Sequence, residues 1–496
     1  GTSSSSGSTS TGTSTSTTSS VASTTAISMG DCVASGLGKD YQVGPGTGQY
    51  SSLDQVPWAS LGAGDTVRIF YKSTPYYGKF LVAANGTAAA PVRICGVKSS
   101  TGQRPIIDGA NAVAPKGLSY GNIVHEQRSL IVVKPLNTQA WEAYPTYVQI
   151  DGLELRGAKS SNTFTDSNGT KQSYVDFGAC IWVDRGQNIT IADNVIHDCS
   201  QGIFTKSTTD GEFAVTKNIR LAGNYIYDNG VAGQMSMHNT YTESLNIVYE
   251  FNRIGPLRTG ALGNAIKDRS GGTVIRFNRI EEGAHAIDLV EADASGSYMK
   301  AQAAYRTTYV YGNQIIKSGD TGSCIHYGGD LGTSAYFRKG TLFFFNNTVY
   351  LYGVNYAAMF QLSTTDERAE VWNNIIAYDP SNPYPRLRAT SDGVDMTAGG
   401  VLNLGKNWLP TNWMDSDPYH TVPGQLLGTA NVISSASIPF DLTTLAPIAG
   451  SAVIDAAQSQ LSAVSSYPVS YQLSTSYVAQ TRSVNGSAMD LGAVEK

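Results

Sequence analysis

The sequence predicts an all-β fold, a single-stranded right-handed parallel β-helix with a short N-terminal capping helix. Three observations carry this. A phrase recurs in which β-formers lead into Asn, any residue, and Ile or Val. It stands at Asn194-Val195-Ile196, Asn224-Tyr225-Ile226, Asn252-Arg253-Ile254, Asn278-Arg279-Ile280, Asn313-Gln314-Ile315, Asn347-Thr348-Val349 and Asn374-Ile375-Ile376. Subtracting successive Asn positions gives 30, 28, 26, 35, 34 and 27, a period that belongs to repeat architectures. Second, the flanking residues are β-branched or aromatic and alternate or run briefly, as strands do. Third, no helical spacing fills the gaps. One coil per repeat follows. Asn sits at a corner, where its tolerance of left-handed backbone turns the chain, and each Ile stacks on the last. A coil buries its apolar face only against its neighbours, so several are needed. The rival fold, a β-sandwich with chance matches, would have to produce seven of them in register.

Residues 1–27 are nearly all Ser, Thr and Gly and read as a tether without a core. Because the chain opens on Gly1, an export signal or lipid anchor is expected upstream. An N-terminal cap and first coils span 28–145. Within them Leu53, Val56, Trp58 and Leu61 lie near helical spacing, and such a helix would plug the open end of the solenoid. Strands follow from Gly64-Asp65-Thr66-Val67 onward. The regular coils occupy 146–385, beginning with the alternating Val148-Gln149-Ile150-Asp151-Gly152-Leu153-Glu154-Leu155. Residues 386–496 are expected to give further coils and shorter strands that close the far end.

Composition narrows the function classes. Charged residues make up only 15% of the 496, and Gly (52) and Tyr (28) are abundant, a profile that suits a secreted or cell-surface β protein. The net charge of −5 argues against nucleic acid as a general partner. No apolar run is long enough to span a membrane, and a monomer is expected. There are five Cys and no CxxC pair. Cys180 with Cys199, one loop apart, and Cys32 with Cys95 are candidate disulfides; the alternative is that all are buried thiols.

Strand side chains alternate inward and outward, so outward residues at equivalent places in successive coils form a stripe. Counting from each corner Asn, Lys206 lies 12 on, His238 14, Lys267 15, Asp288 and Glu291 10 and 13, and His326 13. These offsets agree within loop variation. If Ile266 points inward, Lys267 and Arg269 point outward together, and two cations on one face lower each other's pKa. The expected catalytic residues are Lys267, His238, Arg269, Tyr241, Asp288 and Glu291. Asn239, Glu243, Asn264, Lys206, His326 and Tyr327 are the expected substrate-binding residues. A polar stripe on a solenoid suits an extended polymer. Each group also has a plain reading: His238 as a structural histidine, Lys267 and Arg269 as a solvated pair, Asp288 and Glu291 as surface charges.

The strand Gly64-Asp65-Thr66-Val67, Tyr76-Tyr77-Gly78-Lys79, Gly86-Thr87-Ala88 through Pro91-Val92-Arg93-Ile94, and the closing Ile454-Asp455-Ala456 and Asp490-Leu491-Gly492-Ala493 resemble secreted bacterial right-handed β-helix proteins, among them polysaccharide lyases of the chondroitinase B and alginate lyase type. Asn264-Ala265-Ile266-Lys267-Asp268-Arg269-Ser270 resembles the segment that carries the lyase base, which the resemblance places at Lys267. The family's partner Arg falls near Asp288, leaving Arg269 or Arg276 for that role. Its acidic calcium ligands fall near Gly260 and Leu262, so no calcium, other metal or cofactor is expected. The resemblance implies β-elimination on a uronate-containing polysaccharide. A glycoside hydrolase using two of Asp288, Glu291 and Glu243 is the alternative, and a non-catalytic polysaccharide-binding surface protein is the third reading.

Overall fold

A computed structural model describes residues 29–318, 322–353, 357–389, 399–416, 419 and 422–496. The tether expected over 1–27 lies outside the described residues. The described residues form a right-handed parallel β-helix. Among the described residues, three parallel sheets of 13, 11 and 9 strands run along it. Each coil contributes to all three in turn. In one coil Gln187–Ala192 belongs to the first sheet, Val195–Ile196 to the second and Gln201–Thr205 to the third.

The recurring phrase marks the corner between the first and second sheets. Ile196, Ile226, Ile254, Ile280, Ile315, Val349 and Ile376 stack in register inside the second sheet. The corner Asn residues stack as well, and they hydrogen-bond to one another. The backbone N–H and the side-chain amide of Asn224 both donate to Oδ1 of Asn252, each at 3.0 Å. The pattern repeats from Asn194 up to Asn407, which extends the ladder by one coil past the phrase. The left-handed residue at this corner is the one before the Asn: Asp193, Gly223, Phe251, Phe277, Gly312, Asn346 and Asn373 all have φ between 51° and 66°. The Asn therefore turns the corner through its side chain, by satisfying buried backbone groups, rather than through its own φ.

One expectation about the ends is revised. The cap is not one amphipathic helix but two single 3-10 turns, Leu53–Gln55 and Trp58–Ser60. Pro57 between them cannot donate within a helix. Trp58 is 1% exposed and stacks flat on Phe80 with centroids 3.8 Å apart, so the end is still plugged. At the far end, coils continue through Asn407–Pro410 and Val432–Ser435. Among the described residues, the chain that follows adds no strand to the three long sheets. It returns along the outside, where Tyr467 stacks on Tyr309, Tyr471 meets Phe251 and Phe277, and Gly492 N–H donates to Asn373 O. This strap covers the outward aromatics of the corner. Left-handed backbone at Phe251 and Phe277 costs roughly 1–2 kcal/mol each, and the burial of their rings under the strap offsets it.

Both candidate disulfides are formed, Cys32–Cys95 and Cys180–Cys199, and Cys324 is a buried free thiol. No helix of the described residues is long and apolar enough to cross a membrane.

Candidate active site

The third sheet presents one outward column. Register pairs place Trp182 beside Phe204, then Tyr241, Lys267, Asp288, His326 and Gln361 in successive coils. Adjacent coils stand about 4.8 Å apart, so neighbouring side chains touch. The first three are aromatic: Trp182 stacks on Phe204 at 3.9 Å, and Tyr241 meets Phe204 edge-on. The next three are ionisable and form the centre of the site.

Lys267 Nζ donates to Asp288 Oδ2 at 2.6 Å and to Asp330 Oδ2. Arg269 Nη2 donates to Asp330 Oδ1 at 2.8 Å, Nε to the Tyr241 hydroxyl at 2.9 Å, and Nη1 to the Glu291 carbonyl at 2.7 Å. One carboxylate, Asp330, thus bridges both cations. Its side chain is 29% accessible, against 6% for Lys267 and 4% for Arg269. Glu291 does not face the groove. Its two oxygens accept the backbone N–H groups of Asp330 and Leu331, each at 2.7 Å, and so clamp the loop that carries Asp330.

Behind Lys267, Asp288 is fully engaged. Asn264 Nδ2 donates to Oδ2 at 2.7 Å, and His326 Nδ1 lies 2.8 Å from Oδ1. His326 Nε2 in turn lies 2.9 Å from Ser363 Oγ. Ser363 has no exposed surface, so this Asp-His-Ser chain has no nucleophile that a polymer can reach. Asn264 also accepts the His285 backbone N–H, and its own N–H donates to His238 Nδ1 at 2.9 Å.

The electrostatics correct one expectation. Two cations side by side do not make Lys267 a base here. Burial and Arg269 push its pKa down, but Asp288 and Asp330 outweigh them and hold it above the ordinary lysine value. Despite burial, Lys267 and His326 keep Asp288 well below the usual carboxylate range, and Lys267 and Arg269 lower Asp330. Burial, reinforced by Lys267, lowers His238 to about 3, so its ring is neutral. Since its Nδ1 accepts a hydrogen bond, its one proton sits on Nε2, and it offers a donor rather than a base. Burial raises the Tyr241 phenol, which stays protonated.

Four expected binding residues lie elsewhere. Asn239 is wholly buried, donating to Gly255 O at 2.8 Å and accepting from Asn229. Glu243 holds Ser295, and burial raises its carboxyl. Tyr327 is wholly buried and points into the core, because it follows the outward His326. Lys206 lies two residues past the column position Phe204 and faces a separate groove with Lys134, Trp141, Asp184 and Arg185. There Trp141 is 63% exposed, with the Arg185 guanidinium 4.9 Å from its ring centre, and burial lowers Lys134 to about 8. This groove lies on the same side as Trp182 and Phe204, two to four coils from Lys267. The residues that sequence reasoning missed are Asp330, Ser363 and His285.

No family model and no curated protein matches this sequence. Among solved structures the chain is similar to pectate lyase Pel9A, at 12% identity and TM-score 0.41, covering 92% of this chain and 96% of that one. It is similar to an alginate lyase from Paenibacillus sp. str. FPU-7 at 16% identity and TM-score 0.34, covering 70% and 92%. It is also similar to the GH136 lacto-N-biosidase from Eubacterium ramulus at 12% identity and TM-score 0.40, covering 72% and 64%. These likenesses are of backbone course and assign no role to any residue.

Proposed function

We propose that the protein is a secreted carbohydrate-active enzyme that cleaves a uronate-containing polysaccharide by β-elimination at the Lys267–Arg269 cluster. The observation that carries this reading is the bridging of Lys267 and Arg269 by one accessible carboxylate, Asp330. That position accepts a carboxylate, and a sugar acid is the polymer unit that brings one. A uronate carboxylate taking Asp330's place on Arg269 is neutralised there, which acidifies the neighbouring ring C–H. Lys267 then keeps Asp288 as its one protein anion, and its proton is easier to lose. The free amine takes the ring proton, the C–O bond on the adjacent carbon breaks, and the Tyr241 hydroxyl gives its proton to the leaving oxygen. The Trp182–Phe204 stack and the Trp141 groove extend the surface for further sugar rings.

Hydrolysis by paired carboxyls fits less well, because one of the pair has to be held protonated. Asp288 and Asp330 are both lowered, Glu291 is tied to the loop backbone, and Glu243, whose carboxyl burial raises, is buried against Ser295 and off the column. The two disulfides support an oxidising, extracytoplasmic setting. The test is incubation with polygalacturonate, alginate, hyaluronan and a neutral galactan, followed by ultraviolet absorbance. A new absorbing product from at least one acidic polymer, lost in Lys267→Met, is expected. New reducing ends without absorbance would overturn elimination, and binding without cleavage would overturn catalysis.

A further inference from the structure

We propose that His285, Asp288 and His326 form a binding site for one divalent transition cation, with Zn2+ the best-suited ion. One potential ligand atom from each of these residues lies within 4.8 Å of the other two. The site is built in depth, as metal sites are. Metal-bound imidazoles hold their second ring nitrogen with an outer partner, and both histidines do so. His285 Nδ1 lies 2.6 Å from the Ser323 carbonyl, which can only accept, so Nδ1 carries the proton and Nε2 keeps its lone pair. His326 Nε2 is engaged by Ser363 Oγ, leaving Nδ1 toward Asp288. Asn264 supports two of the three ligand residues, through the Asp288 carboxylate and the His285 backbone N–H.

Two nitrogens and one carboxylate oxygen form the donor set of a zinc site with an open position for water or a substrate oxygen. Calcium and magnesium want all-oxygen cages and do not suit it. The charge also fits. Lys267 and Arg269 against Asp288, Asp330 and Glu291 sum to one negative charge, and Lys267 occupies Asp288 Oδ2, so Oδ1 is the ligand atom. The cation takes the place of the proton between His326 Nδ1 and Asp288 Oδ1. The neutral ring's one proton then sits on Nε2 and is donated to Ser363 Oγ. The site escaped the sequence reading because that reading looked for acidic ligands ahead of Lys267.

The site shares Asp288 with the elimination reading, through the carboxylate's other oxygen, and is tested without substrate. Tag-free full-length protein is stripped with a chelator and titrated with Co2+, whose visible bands report nitrogen and oxygen ligation, then with Zn2+ and Ca2+ in competition. One equivalent of Co2+ should bind and be displaced by Zn2+ but not by Ca2+. His285→Ala should weaken binding by more than about 100-fold, and Ser363→Ala by about 10–100-fold as an outer-shell change. His285→Gln serves if the alanine variant loses its fold by circular dichroism. Absence of binding, equal displacement by Ca2+, or affinity unchanged in the folded His285 variants would overturn the site.

Discussion

Two stacks of polar residues run along this solenoid, and they obey different rules. At the first corner the same residue, Asn, recurs from Asn194 to Asn407, uncharged, buried, and satisfied by its neighbour above and below. On the third sheet the register position changes in every coil, from Trp182 through Tyr241, Lys267 and Asp288 to His326. Its charges are satisfied only in part by neighbours and in part by Asp330, on a loop. Repetition in a solenoid serves the fold, since each coil must fit the next. Variation at a fixed register position does not help stacking and marks chemistry. Variants in the two stacks should therefore separate stability from turnover.

The largest separation is expected at Lys267. Lys267→Met removes the proton-transfer group and should cut turnover by about 10²–10⁴-fold, read as product formation per folded molecule. Turnover of the intact protein should also rise with pH, because Lys267 is held protonated in the free protein and has to lose that proton to act as a base. A rate flat or falling over the alkaline range would point to another base.

Asp288→Asn should be the costliest column change for stability. It removes the buried partner of a buried ammonium, a loss of about 3–5 kcal/mol by denaturant titration at neutral pH. The folded pKa of Asp288 is depressed, so its contribution is complete above the unfolded value of about 3.9. It is lost as pH falls through the folded value. The gap between intact protein and variant should therefore hold at neutral pH and narrow below about pH 4.

In the structural stack, Ile226→Ala opens a hole between Ile196 and Ile254 and should cost about 2–5 kcal/mol. Asn252→Ala leaves the buried Asn224 N–H without its acceptor, at about 1–3 kcal/mol. Both should leave activity per folded molecule unchanged, and a loss of turnover larger than the loss of folded protein would break the comparison. The smallest effect belongs to Asn218→Gly, exposed and left-handed at φ 55°, where glycine is unstrained and stability should shift by less than about 1 kcal/mol.

The repeat was legible in the sequence because the ladder Asn and the stacked Ile recur in nearly every coil. The column was legible through parity: with Ile266 and Ile287 inward, Lys267 and Asp288 had to face outward. Offsets from the corner were a poorer guide. Loop lengths vary, so counting selected Lys206 and His238 where register selects Phe204 and Tyr241. Tyr327 follows the outward His326, so by the same parity it points inward and could not line the column. Asp330, on an irregular loop past its strand, and Ser363, a whole coil away, carry no periodic signal. The strap was hidden because its contacts join residues more than 100 positions apart, as Ala493 and Thr348 do across 145.

The most direct test of the central claim, that the varied column is an elimination site for a sugar acid, is mass spectrometry of the oligosaccharides released from a uronate polymer. The account predicts fragments with an unsaturated terminal ring, each one water lighter than its hydrolytic counterpart, and none from Lys267→Met. Saturated fragments that incorporate water from an 18O-labelled solvent would contradict it.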